Sequence, residues 1–283
     1  MPISHDHLLN YRIPEVRQTL TPRDTIFYAL SVGLAQDPMD ARQLDFVDHH
    51  KPLRALPAMA VVLCHPGFWI ANPDTGVNAV KLVHGEQGFV IHKKLPVAGE
   101  LIGRTRITGV IDKGEGRGAL LYSEKTITEA ATGEVLATCT STTFMRADGG
   151  FGGPAGPLKP VYPVPESAPD MTIDLPTRPE QALYYRLNGD DNPLHADPAF
   201  AARAGFPRPI LHGLCTLGVV CHALLRALGD YDPARFRALD LRFSAPVYPG
   251  ETIRTEIWRD GAFRARVLER DVVVVNNGKA VFA

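Results

Sequence analysis

Two stretches far apart in the chain carry nearly the same letters: LPVAGELIGRTRI at 95–107 and APVYPGETIRTEI at 245–257, with one residue added in the turn. A repeat of this kind limits the chain to folds built from two copies of one unit. In each copy a helical segment precedes the repeat and several strands surround it. LPAMAVV in the first half stands where PILHGLCTLGVV stands in the second. Between the copies, residues 148–170 hold five glycines and six prolines, with no helical or strand period. At about 3.1 Å per residue in polyproline geometry, such a connector can cross a whole domain along its surface. The chain thus divides into 1–147, a Pro/Gly-rich linker at 148–170, and 171–283.

Local signals fill in each half. Thr21-Pro22 is a cap followed by proline at the first helical position, so a helix is expected over Pro22–Leu34. A second, apolar helix is expected from Leu56-Pro57 through AMAVVLCHP, stopped by Pro66. From residue 99 onward, β-branched residues, the alternation in RTRITGV and KTITEA, and turns at Lys113–Gly118 and Thr132-Gly133 indicate antiparallel strands. The second half repeats the plan, with a helix at about Arg178–Leu187, a long helix from His212-Gly213 to about Leu228, and further strands. Asn277-Gly278 reads as a hairpin turn. The class is α+β: two units, each a central helix wrapped by an antiparallel sheet, paired edge to edge to hide two strand edges.

The chemistry concentrates in YRLNGDDNPLHADPAFAARAGFPRPILHGLCTLG, residues 185–218. Asp190 and His195 are separated by Asn192-Pro193, which cannot continue a helix, so the pair sits on a turn. A carboxylate and an imidazole brought together suit general acid–base chemistry. The same turn is also common structural punctuation. Asp197-Pro198 opens a short helix over Ala199–Ala204, and Gly205 stops it. Gly213 at the start of the long helix lets a ligand oxygen approach free backbone N–H groups. The first half has YALSVGLAQDPMD in the corresponding place, without the histidine or the NPLH turn.

Other features narrow the function. The net charge of −1 argues against nucleic acid as a partner, and no apolar run approaches a membrane span. Four cysteines without metal or disulfide spacing, and no secretory or Ser-Lys-Leu-type address, point to the cytoplasm. The pairs His5/His7 and His49-His50 lack ligand-spaced partners and read as solvated loops. His212, Cys215 and His222 also lack a recognised metal spacing, and no metal is expected.

The run NGDDNPLHADPAFAARAGFPRPILHGL resembles the signature of the MaoC-like R-specific enoyl-CoA hydratases, the family that includes the hydratase domain of peroxisomal multifunctional enzyme type 2. LVHGEQ (82–87), VIDKGEG (110–116), FGGP (151–154) and RFSAPVYPGE (242–251) extend the likeness over nearly the whole chain. The resemblance implies a tandem, double hot-dog fold with Asp190 and His195 as the dyad and Asn192 orienting them from beside. Gly213 would donate its N–H to the thioester carbonyl; His84, Gly85 and Lys113 would contact coenzyme A, and Phe243 would line the site. The implied reaction is hydration of trans-2-enoyl-CoA to (3R)-3-hydroxyacyl-CoA. No cofactor is expected beyond the coenzyme A of the acyl-CoA substrate, and a homodimer is expected. A dehydratase or hydratase of a branched, β-methyl or steroid side-chain acyl-CoA, and a non-catalytic acyl-CoA-binding module, are the alternatives. Lys113 can meet phosphate from a glycine-rich loop or simply cap an exposed turn. Glu86 is a further acid in these segments, or a structural partner.

Overall fold

Ten strands pair into a single antiparallel sheet in the computed structural model, which describes residues 3–283. The first half supplies β1 (Val16–Leu20), β2 (Leu82–Ile91), β3 (Gly99–Asp112), β4 (Ala119–Glu129) and β5 (Val135–Met145). The second supplies β6 (Met171–Pro176), β7 (Phe236–Phe243), β8 (Thr252–Ile257), β9 (Ala262–Val267) and β10 (Val272–Phe282). Their spatial order is β1-β3-β4-β5-β2-β7-β10-β9-β8-β6. The halves meet where β2 pairs with β7, with Glu86 opposite Arg242 and Val90 opposite Ala238. Each half-sheet thereby hides an edge that would otherwise offer unpaired N–H and C=O groups.

The helices are α1 (His5–Leu9), α2 (Pro22–Ser31), α3 (Leu44–Val47), α4 (Gln181–Tyr185), α5 (Pro198–Arg203) and α6 (Gly213–Leu228). Thr21 and Asp24 form a reciprocal capping box at the start of α2, as the Thr-Pro signal foretells. In α6 every residue from Cys215 to Leu225 is buried, so this helix is covered on all faces. It packs on β6, β7 and β8 and against the 57–61 segment of the first half. Gly218 permits its close approach to α2: a Cβ there would lie 2.4 Å from Val32 Cγ1.

The first half departs from the expected plan. In place of a central helix it has a short 3-10 turn, Pro57–Val61. The carbonyls that a longer helix would need are taken by the sheet: Cys139 Sγ donates to Ala60 O at 3.4 Å, and the buried Lys125 Nζ donates to Val61 O and Leu63 O. Pro66 has no N–H to offer in exchange. Only the second half therefore wraps a long central helix. The 178–187 helix is also shorter, α4 continuing as a 3-10 turn over Arg186–Asn188.

Asn277-Gly278 is a bulge inside β10 instead of a hairpin. Asn277 has φ 53°, the pairing with β7 shifts between Asn276 and Lys279, and the Phe263 ring fills the space where a side chain at 278 would stand. The left-handed preference of Asn-Gly is used to bend a strand. Residues 148–170 cross the sheet without regular structure. Asp112 accepts from the N–H groups of Gly150 and Gly152 at one end. Lys159 pairs with Asp240, Asn277 Nδ2 donates to Tyr162 O, and Trp258 Nε1 donates to Ser167 O farther along.

One buried group in α6 makes the fold acid-sensitive. Burial, with Arg226 adding to it, lowers His222 to about 4, whereas an unfolded histidine titrates near 6.5. Between these values the unfolded chain binds a proton that the native state refuses. Stability therefore falls as pH drops from about 6.5 toward 4. His222→Gln should lose less stability than the wild type between about pH 7 and pH 5, read from urea midpoints at each pH.

Candidate active site

The turn after α4 is built by its own residues. Gly189 takes φ 112° to close the 3-10 turn, a conformation that favours glycine. Asn192 then caps the next turn, Pro193–His195: its Oδ1 accepts from Leu194 N–H at 3.0 Å, while its own N–H donates to Asp190 Oδ1 at 3.3 Å. Asn192 thus steers the acid through its backbone. The result brings Asp190, His195 and His212 together, with one side-chain ligand atom of each within 4.8 Å of the others.

His195 is 8% exposed. Its Nδ1 lies 2.8 Å from Ile210 O, so the neutral ring carries its proton there and leaves Nε2 as a proton acceptor. Burial moves its pKa below the usual histidine value, opposed in part by the Ile210 bond and the charge of Asp190. The His212 ring stacks on it, with centroids 3.7 Å apart and planes at 26°. His212 Nε2 donates to the Asp190 carbonyl at 3.1 Å. Burial, and then the neighbouring His195, hold His212 well below the ordinary range, so the pair is neutral at pH 7. The three ligand atoms of Asp190, His195 and His212 are also close enough together to hold a metal ion.

Gly213 opens α6 with no side chain capping the helix start, which leaves backbone donors for a ligand. A Cβ at 213 would meet the Phe243 ring at 3.3 Å. Phe243 in turn packs edge-on against His84, ring centroids 5.0 Å apart. His84 comes from β2 of the other half and is held by Gln87 Oε1 at 3.0 Å and Ser141 Oγ at 3.1 Å. The structure therefore joins Gly213, Phe243 and His84 at the dyad end of the sheet. Gly85 occupies the bulge at which β2 slips against β5, close to Thr142 O.

Lys113 stands apart from that cluster, in the β3–β4 turn. Its Nζ lies 4.9 Å from the Phe144 ring centroid. Phe144 pairs with Val83, the neighbour of His84, so the lysine flanks the same end of the sheet. Asp112 anchors this turn, accepting also from Gly114 N–H at 2.8 Å, and these backbone bonds hold its carboxyl below the usual range.

Glu86 is a structural partner. It accepts a forked pair from Arg242 (Nε at 3.1 Å, Nη2 at 2.7 Å) and a bond from Thr142 Oγ1 at 2.7 Å. The stacked role of His212 escaped sequence reasoning, which placed it only at the helix entrance; its adjacency to Gly213 was the available signal. Asp48, half-buried, completes a trio with the exposed His49 and His50, a carboxylate partner that spacing did not reveal; its Oδ1 already accepts from His50 N–H.

Comparison with known proteins agrees along the chain. Residues 161–281 match the MaoC like domain, and residues 19–147 match the MFE-2 hydratase 2 N-terminal domain. The 3-hydroxyacyl-thioester dehydratase Y of Mycobacterium tuberculosis is 42% identical over 246 residues, covering 87% of this chain and 84% of the relative. Enoyl-CoA hydratase 2 of Arabidopsis thaliana is 37% identical, over 95% of this chain and 93% of its own. A MaoC-like dehydratase from Phytophthora capsici superposes with a TM-score of 0.86 at 33% identity, covering 99% of this chain and 98% of that one. A Mycobacterium tuberculosis protein described as a double hotdog, 14% identical, shares the fold at a TM-score of 0.56 over 99% of this chain and 96% of that one. The chain is thus a double hot-dog protein of the MaoC-like family, with an MFE-2 hydratase 2 N-terminal domain as its first half.

Proposed function

We propose that this chain is an enoyl-CoA hydratase that adds water to trans-2-enoyl-CoA to give (3R)-3-hydroxyacyl-CoA. The observation that carries the reading is the tautomer of His195: a neutral ring with Nδ1 tied to Ile210 O and Nε2 bare, beside the Asp190 carboxylate. Asp190 and His195 hold one water between them. Its oxygen bonds to C3 as the C2–C3 π electrons shift toward the thioester carbonyl, whose oxygen gains charge and receives the Gly213 N–H. The pair takes one proton from the water and returns a proton to C2, so the elements of water are added and no redox change occurs. The steps reversed are a dehydration, the activity named for the mycobacterial relative.

His84 and Phe243 form the wall beside the thioester in this proposal, and Gly85 sets the bend that presents His84. Lys113 receives a phosphate of coenzyme A from the flank. The cytoplasm and a homodimer belong to the same proposal; among the described residues no helix is long and apolar enough to cross a membrane. A branched, β-methyl or steroid acyl-CoA would use the same dyad and donors.

Hydration is read from the loss of enoyl-thioester absorbance with crotonyl-CoA and trans-2-decenoyl-CoA. Asp190→Asn and His195→Gln should each lower kcat/KM about 10²- to 10⁴-fold with folding intact, the usual range for removing an acid–base group. Full activity in either variant would sink the dyad. A folded wild type inactive on both substrates would point instead to a bulkier acyl group or to a binding role.

The pH profile follows from the burial of His195. Its neutral form is the base, so activity falls on the acid side, with a midpoint below about 6.5. The charge of Asp190 raises the His195 pKa, so any residual activity of Asp190→Asn should show that limb at still lower pH. Lys113→Ala should raise KM several-fold and leave kcat unchanged. It should also flatten the dependence of KM on salt, as expected for a screened contact with phosphate.

A further inference from the structure

Among the described residues, one hydrogen bond holds the His195 ring, at Nδ1 to Ile210 O. A ring tied at one nitrogen can still twist about that bond, and each twist swings Nε2 out of line with a reacting atom. The His212 face, 3.7 Å away, blocks the twist on one side. Asp190 is placed in a similar way. Its carboxylate takes a long bond of 3.3 Å from Asn192 N–H, and the donor to its carbonyl is His212 Nε2. His212 thus touches both members of the pair with one ring.

That ring is itself fixed from the core side. His212 is 1% exposed, and the Tyr185 ring lies 5.0 Å from it at 50°. The bond to Asp190 O puts its proton on Nε2, which leaves Nδ1 buried and without a partner among the described residues. A second proton there would be a charged donor with no acceptor, so the ring keeps the neutral form that the bond requires. In the backbone, the His212 carbonyl accepts from Cys215 N–H at 3.0 Å and Thr216 N–H at 3.1 Å, in the first turn of α6. The next residue is Gly213, which opens that helix. We infer that His212 is a positioning residue: its ring holds the Asp190–His195 pair, its backbone holds the Gly213 N–H, and it thereby fixes the distance between the acid–base pair and the oxyanion donor. It acts through these neighbours and not on the substrate. This role rests on the hydratase reading.

Three variants separate the contacts. His212→Gln keeps a donor for Asp190 O and loses the stack, His212→Phe keeps a ring and loses the donor, and His212→Ala loses both. In the hydration assay the first two should each lower kcat about 10-fold and the third about 10²-fold, the scale for a group misplaced by about 1 Å, with KM within about twofold. In the His195→Gln background, where the stack has no base to hold, adding His212→Gln should cost less than about threefold. A loss of equal size in both backgrounds would mean a general weakening of the fold and would overturn the role. Full kcat in a folded His212→Ala, or a loss confined to KM, would overturn it too. The stack is read separately by NMR: the His195 ring protons should lie upfield in the wild type and in His212→Phe, and return downfield in His212→Gln. Protons that do not move would remove the stack whether or not the protein is active. An inactive wild type would overturn the hydratase reading and this role together, while the proton shifts would still decide whether His212 holds the His195 ring.

Discussion

The β2–β7 ladder is the constraint on which the rest depends. Antiparallel pairing places the beginning of β2 beside the end of β7, and that alone brings His84 from one half against Phe243 from the other. A slip of one residue would put the two rings on opposite faces of the sheet. The Glu86–Arg242 pair sits in this ladder, the glutamate side chain 11% exposed and the arginine 46%. Such a pair adds little net stability, but breaking one member leaves a buried charge without a partner. Its value lies in fixing the register.

Sharing a sheet did not keep the halves alike. α6 fills its half, covered on all faces, while the first half has a 3-10 turn held by Lys125 and Cys139. The apolar run AMAVVLC satisfies a helical period, and nothing local forbids a helix before Pro66. What prevents it arrives from β4 and β5, more than sixty residues away. Asn277-Gly278 makes the same point: its dihedral preference was legible, but whether a left-handed residue turns a chain or bulges a strand depends on the neighbouring β9 and β7.

The site divides along the same line. The bend at Asp190–His195 was readable because its causes lie within a few residues: Gly189, the Asn192 cap and Pro193. The stack of His212 on His195 needs Ile210 to come back to the turn, and the meeting of Gly213, Phe243 and His84 needs the strand order. Periodicity carries no information on either. The family resemblance supplied the names Phe243 and His84; the register supplies the reason they meet.

The connector at 148–170 has a consequence for the site as a whole. Tied at Asp112, Asp240 and Asn277 as it crosses the sheet, it turns the joining of two units into an intramolecular event. The seam is then governed by an effective concentration set by the tether and not by the number of molecules in solution. Two separate chains meeting along the same ladder would lose the His84–Phe243 contact between them on dilution. Here the two sides of the site stay matched one to one at any concentration, and each half was free to diverge against a single, permanent partner.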